Sequence, residues 1–468
     1  MKRLAVLHRE LNPVPETTGG SVMSMVEFHD WWAQRTAAGH FAVDRIPFAE
    51  LGDWQFEPGT GNLGHKSGRF FTIEGLQVRE GGVPTWSQPI INQPEIGILG
   101  IVVKEFDGVL HCLMQAKMEP GNVNTLQLSP TVQATRSNYT QVHRGGSTRY
   151  LEYFVGAGRG QVLVDVLQSE QGAWFWRKRN RNMVVLVTGD VELHEDYCWL
   201  SLAQIGELSH RDNLVNMDAR TVLSCIPFAL PDGDGATGED FRDALVRSYQ
   251  YAAEDAPGPA LHTAGDILSW FTEAKTRCDW SARLTPLSAT TGWHRNDEVI
   301  TDDAEENFRI IGVRVEAGTR EVKAWRQPLL HPRGEGHAAF LARRVRGVLH
   351  LLVQARPEYG LMDMVEMAPT VHLLPGQDAS SIKEPFLRDV LEVGGVKTHY
   401  DQKLSEEGGR FYHALTRYQL IEVGEEFPVE VPPNYCWMTV RQLIDLLRHG
   451  HYLNIEARSL LACIHSLC

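Results

Sequence analysis

The chain has 468 residues, enough for two or three domains that each bury a proper core. Its 43% apolar and 22% charged residues are those of an ordinary globular protein, and no apolar run approaches the roughly 18 residues needed to span a bilayer. A formal net charge of −14 opposes general affinity for nucleic acid, which depends on clustered Lys and Arg.

In chain order, Met1 to Glu10 places charges on both sides of a very short apolar stretch. This is not the apolar core of a secretion signal, so a cytoplasmic protein is expected. An amphipathic helix follows from Ser24 to about Thr36, with Trp31-Trp32 as core anchors. Next come apolar segments of strand length, Phe70 to Ile73, Ile98 to Val103 and Val184 to Val187, punctuated by Gly, Pro and Asn. A capping box, Ser201-Leu-Ala-Gln204, opens a helix, and another helix starts at Asn216. Breakers at 231–238 and 257–259 flank a helical stretch at 239–254.

From there the chain repeats itself roughly 238 positions later. Gly108-Val-Leu-His-Cys-Leu-Met-Gln-Ala-Lys-Met-Glu-Pro-Gly121 returns as Gly347-Val-Leu-His-Leu-Leu-Val-Gln-Ala-Arg-Pro-Glu-Tyr-Gly360. Trp86-Ser-Gln-Pro89 matches Trp325-Arg-Gln-Pro328, Tyr197-Cys-Trp199 matches Tyr435-Cys-Trp437, and Ala219-Arg220 matches Ala457-Arg458. The expected organisation is an α+β domain made twice, with a mixed sheet flanked by helices: residues 1–230, a linker with a bridging helix at 231–264, and residues 265–468. The seven cysteines are odd in number and widely spaced, and four of them pair off between the repeats. Reduced packing residues are expected rather than a disulfide framework. The tail Cys463, His465 and Cys468 lacks a fourth ligand at sensible spacing, so no metal site is expected.

A strand's period of two puts His111, Leu113, Gln115, Lys117 and Glu119 on one face. Either this is an exposed face with a weak ion pair, or it is a pocket wall, which the second repeat's Gln354, Arg356 and Glu358 would form again. The pocket wall is the favoured reading because both copies then turn at a glycine. Beyond that turn, Asn122, Asn124, Gln127, Thr131, Gln133, Asn138 and Tyr139 form a run of amides and hydroxyls suited to a sugar or a pyrimidine edge. The second copy keeps Thr370 but loses most of the amides, which points to one specialised pocket and one that drifted. His65 is either a proton carrier or an exposed histidine. Arg181 and Arg417 either sit at solvated strand edges or contact a small anion such as a diphosphate. Trp174 either stacks on a base or belongs to the core.

Gln115-Ala-Lys117-Met-Glu119-Pro-Gly-Asn-Val-Asn124, Leu128-Ser-Pro-Thr-Val-Gln133, Ser137-Asn-Tyr139 and His65 to Phe71 together resemble the nucleoside diphosphate hexose 2,3-dehydratase family of deoxysugar biosynthesis. The resemblance extends over essentially the whole chain. It implies a cytoplasmic bacterial homodimer of tandem Nudix-like domains acting on dTDP-4-keto-6-deoxyglucose, with an NAD(P)H-dependent 3-ketoreductase downstream. The Nudix metal-binding signature is missing from both halves; its nearest match, Gln402 to Gly409, has Gln-Lys where Arg-Glu should stand. The 4-keto group acidifies the C3 proton, so the substrate is its own electron sink, and no cofactor is expected. No glycine fingerprint for a dinucleotide follows a strand. On this resemblance the base is Glu119 or His65, Lys117 is the donor to the enolate or hydroxyl, and Arg181 contacts the diphosphate. Gln115, Asn122, Asn124, Gln127, Thr131, Gln133, Asn138, Tyr139 and Trp174 line the pocket. Gln354, Arg356, Glu358, Thr370 and Arg417 form the second one. The alternatives are a nucleotide-sugar diphosphate hydrolase and a non-catalytic nucleotide-sugar-binding protein.

Overall fold

A computed structural model describes residues 22–135, 148–156, 160–226, 240–250, 258–318, 322–377, 385–391 and 397–468. The repeat appears in it as two seven-stranded mixed sheets of identical strand order. In the first, the order is Gln161–Ser169, Arg179–Leu186, Gly97–Phe106, Val109–Met118, Tyr197–Ser201, with Leu126–Ser129 and Val132–Ala134 continuing the two central strands. Lys397–Ser405, Leu415–Glu422, Gly336–Val345, Val348–Pro357 and Tyr435–Thr439 reproduce it. One pair in each sheet is parallel, Arg179–Leu186 with Gly97–Phe106 and Leu415–Glu422 with Gly336–Val345. The central strands are buried on both faces, and this is why they read as continuous apolar runs. Each central hairpin turns through two residues of positive φ, Asp107-Gly108 and Arg346-Gly347, as a tight turn between twisted strands demands.

Helices stand at the margins and are short, so the molecule is mostly sheet rather than an even α+β mixture. Their starts lie where the sequence puts them. Capping boxes close at Ser24 with Glu27, Ser201 with Gln204, Thr263 with Asp266 and Thr439 with Gln442. Asn216 and Asn454 cap Met217–Leu223 and Ile455–His465, and Phe241–Gln250 lies in the expected bridging stretch. On the first helix Phe28 is the fully buried anchor, whereas Trp31 and Trp32 are half-buried and the Trp31 indole donates to the Glu195 carbonyl at 2.8 Å. All seven cysteines are free thiols. Among the described residues no helix is long and apolar enough to cross a membrane.

Pairing between the repeats is what linear periodicity does not encode. Each repeat also contributes to a five-stranded sheet, and each of these sheets takes a strand from the other repeat. Phe41–Ile46 pairs antiparallel with Phe308–Ala317, and Trp280–Thr285 pairs with Thr72–Glu80. A second reciprocal lock is made by the repeated arginines. Arg220, 1% exposed, donates to the Ser405 carbonyl at 2.9 Å, and the fully buried Arg458 donates to the Ser169 carbonyl. A buried guanidinium hydrogen-bonded to carbonyls holds backbone at fixed positions, and each arginine holds backbone of the opposite repeat.

Candidate active site

The exchange of strands leaves a cavity of about 670 Å³ between the repeats. From the first repeat it is lined by Trp54, His65, Phe71, Lys117, Glu119, Gln133, Lys178 and Asp218. From the second come Arg314, Trp325, Arg326, Glu407 and Arg410.

Lys117 leaves the end of strand Val109–Met118, and Glu119 begins the turn that follows. They are 8% and 5% exposed, and Lys117 Nζ stands 3.8 Å from Glu119 Oε1. Lys117 also donates to the Gln133 carbonyl at 3.1 Å. The Gln133 amide donates to Glu119 at 2.8 Å, and its oxygen accepts from Asn216 at 3.2 Å. Asn216 caps the helix that carries Asp218. One glutamine thus ties the strand, the turn and the helix end into a single wall.

The turn is fixed by the other repeat. Gly121 N–H donates to the Gly408 carbonyl and the Gly121 carbonyl accepts from His413, both at 2.7 Å. A Cβ on Gly121 would overlap the Phe411 carbonyl oxygen, and one on Gly360 would overlap that of Phe175. Both glycines of the sequence repeat are therefore required by close backbone approach rather than by positive φ.

Burial sets the protonation states. It raises Asp218 well above the usual carboxylate range, reinforced by the charges of Glu407, Glu170 and Glu119. Burial also raises Glu407, with Glu119 adding to the effect and Arg410 and Lys178 opposing it. Glu170, just behind, is pushed up to about 7 by burial and then by Glu407. Lys178 is lowered by burial in spite of Glu170 and Glu407. The wall therefore offers carboxyls that burial holds above the usual range, beside the Lys117–Glu119 pair.

Lys117, Glu119, His65 and Gln133 are brought together at this cavity. His65 hydrogen-bonds Ser67 at 2.8 Å and packs edge-on to Phe70 and Trp54. The other sequence candidates lie elsewhere. Gln115 and His111 do not line the cavity, because strand Val109–Met118 is buried on both faces and only its far end opens into it. Asn122 closes its own turn on the Thr125 carbonyl. Asn124 bonds the Asn213 carbonyl, and Gln127 bonds Asn124 and Ser405. Thr131 and Thr370 hydroxyls each accept from a neighbouring strand's N–H at 2.9 Å, as sheet-internal ties. Trp174 is in the core, 4.6 Å from the Phe411 ring. Arg181 forms a two-point pair with Asp165 at 2.7 and 2.6 Å, both side chains partly exposed, and Arg417 pairs likewise with Asp401. In the second repeat Gln354 and Arg356 lie at the end of the equivalent strand, and Glu358, 6% exposed, follows it. Asn138 and Tyr139 lie outside the described residues.

Sequence reasoning missed Lys178, Asp218, Glu407 and Arg410. Arg410 stacks 4.4 Å over Phe71 and donates to Gln93 at 3.0 Å. A signal was present in the repeat alignment. Lys178, Glu407 and Arg410 occupy positions where the other copy has Ala414, Gln171 and Trp174, so each is a charge kept in one copy only.

A family model described as NDP-hexose 2,3-dehydratase matches residues 25–226 and again 264–464. Three curated relatives, each named dTDP-4-dehydro-6-deoxy-alpha-D-glucopyranose 2,3-dehydratase, are similar over nearly the full length. The protein from Saccharopolyspora spinosa is 52% identical, covering 94% of this chain and 91% of its own. That from Streptomyces violaceoruber is 48% identical, with 94% and 97% covered. That from Amycolatopsis orientalis is 46% identical, with 96% and 92% covered. Among solved structures, the C. elegans Ap4A hydrolase is 17% identical with a TM-score of 0.18, covering 25% of this chain and 86% of that one, a likeness too slight to carry an argument.

Proposed function

The chain belongs to the NDP-hexose 2,3-dehydratase family, whose members are lyases, and on that premise we propose that it dehydrates dTDP-4-keto-6-deoxyglucose across C2 and C3. The observation that carries the mechanism is the buried Lys117–Glu119 pair at 3.8 Å, on the wall that also bears Asp218. Such a wall holds a charged pair and a protonated acid on one side of a sugar-sized cavity.

In this reading Glu119 takes the C3 proton, with His65 as the alternative base. The electron pair spreads into the C4 carbonyl as an enolate, which Lys117 stabilises by donating to its oxygen. The enolate then re-forms the carbonyl as the C2–O bond breaks. The departing hydroxide takes a proton from Asp218 and leaves as water. The resulting 3-enol ketonises by taking a proton at C2, giving the 3,4-diketo sugar. Arg410 and Arg326, rather than Arg181, face the diphosphate, and Trp325 is the aromatic wall for the base; all three line the cavity.

The same reading includes a homodimer, a cytoplasmic location, descent of both repeats from the Nudix superfamily, and an NAD(P)H-dependent 3-ketoreductase downstream. Support for the reductase is chemical, since a vicinal diketone is a good hydride acceptor. Support for the descent is the mixed sheet with its one parallel pair, formed twice.

The test is incubation with dTDP-4-keto-6-deoxyglucose in deuterated water, with a 3-ketoreductase to trap the product for mass spectrometry. Loss of one water and gain of one deuteron at C2 are expected. Release of dTMP and a sugar phosphate would instead identify a hydrolase, and unchanged substrate a binding protein. Glu119→Gln is expected to slow turnover by about 10²–10⁴-fold while leaving dTDP-sugar affinity within a few fold. Normal turnover would remove Glu119 from the mechanism.

A further inference from the structure

The counterpart of the Glu119, Gln133 and Asp218 wall in the second repeat is Glu358, His372 and Glu456, and it is arranged differently. In the first repeat the Gln133 amide donates directly to Glu119 at 2.8 Å. His372, at the matching position, reaches neither neighbour at hydrogen-bond distance. Its Nδ1 stands 3.7 Å from Glu358 Oε1 and its Nε2 stands 3.6 Å from Glu456 Oε1. His372, Glu358 and Glu456 are 2%, 6% and 3% exposed. His372 Nδ1 and Glu456 Oε2 have no hydrogen-bond partner among the described residues, which is costly for buried polar atoms.

We propose that Glu358, His372 and Glu456 bind a divalent transition-metal ion, with zinc as the best match, at a centre inside the second repeat. One ligand atom from each residue lies within 4.8 Å of the others. Ligands at about 2.0–2.2 Å around a tetrahedral ion stand roughly 3.3–3.6 Å apart, so an ion held by one imidazole nitrogen would draw the two carboxylates closer than their present spacing. One imidazole with two carboxylates favours zinc over magnesium or calcium, which prefer all-oxygen shells. Outer contacts already orient the first ligand: Glu358 accepts from Asn454 at 2.9 Å and from the Gly172 N–H at 3.0 Å.

The feature that gives this site a nitrogen ligand its twin lacks is the exchange of glutamine for histidine at the centre of the wall.

The experiment uses the full-length protein, stripped with chelator and titrated with zinc chloride, with metal content by mass spectrometry, a thermal scan and X-ray absorption. Expected are one zinc per chain, a raised unfolding temperature and a nitrogen and oxygen shell with one imidazole. His372→Gln, which copies the first repeat's own arrangement, should weaken zinc binding by at least 100-fold. Absence of stoichiometric zinc in wild type would overturn the proposal, leaving a carboxylate–histidine cluster that shares protons. So would a sulfur ligand in the absorption spectrum, or zinc retained by His372→Gln and lost by Glu119→Gln. Should His372→Gln fail to fold, the wild-type stoichiometry and absorption spectrum still decide.

Discussion

In the proposed mechanism Asp218 is the residue on which the acid half of the chemistry turns. Its carboxyl is raised by burial and then by the nearby carboxylates, so the folded protein holds the proton more tightly than the unfolded chain does. The sign follows directly. Stability contributed by this proton is complete below the ordinary aspartate range and is lost as pH rises through the raised value. An acid catalyst behaves alike, so turnover has an alkaline limb that falls as Asp218 deprotonates. Asp218→Asn should fold, lose its share of the alkaline destabilisation, and turn over about 10²–10⁴-fold more slowly without that limb. A pH-rate profile of both proteins measures it, and an unchanged limb would move the role to Glu407. A contrast between two arginines tests how the substrate is held. Arg410 lines the cavity, while Arg181 is occupied by Asp165 in a partly exposed ion pair away from it. Hydrogen bonds to charged groups contribute about 1.5–3 kcal/mol, so Arg410→Ala should raise KM roughly 10- to 150-fold. Arg181→Ala should leave KM unchanged, and a reversed pair of results would return the diphosphate to the strand edge.

At the scale of elements, helix starts were legible because capping is local: Ser201 with Gln204 and Asn216 are recognisable from a few residues. The strand carrying Lys117 was legible for the same reason. His111 and Gln115 misled because a strand buried on both faces does not sort its residues into wall and core by alternation. The polar run after Gly121 misled in another way, since its amides tie turns and the opposite repeat together rather than facing a ligand. Gly121 was visible as a repeated glycine, but its reason, the Phe411 carbonyl, belongs to the other half of the chain. That reason is testable. Gly121→Ala forces backbone apart and should cost about 1–3 kcal/mol in a urea titration, as overpacking generally does. Gly360→Ala should cost a similar amount. Only Gly121→Ala should also cut turnover strongly, because Glu119 starts that turn, and equal effects of the two on activity would argue against a single active cavity.

The whole molecule makes the active cavity a joint product of both copies. Glu119 and Asp218 come from the first repeat, and Glu407 and Arg410 come from the second. Each five-stranded sheet lacks a strand until the other repeat supplies it, and the turn bearing Glu119 is hydrogen-bonded to Gly408 and His413. Duplication thus did more than double a fold: it let one copy's backbone position the other copy's side chains, and charges at Lys178, Glu407 and Arg410 could diverge without disturbing the twin. Expressed alone, residues 1–230 would expose the unpaired edge of Thr72–Glu80 and release Phe41–Ile46, a combination that favours aggregation. Neither 1–230 nor 231–468 should therefore be active or monomeric when purified singly. Co-expressed as two chains, they should associate and regain dehydratase turnover, because the exchanged strands bury the same contacts whether or not the linker is intact. Size-exclusion chromatography and the trapped-product assay measure both outcomes. Full activity from 1–230 alone would show that the cavity needs nothing from the second copy, and the assignment of Glu407 and Arg410 to it would fall.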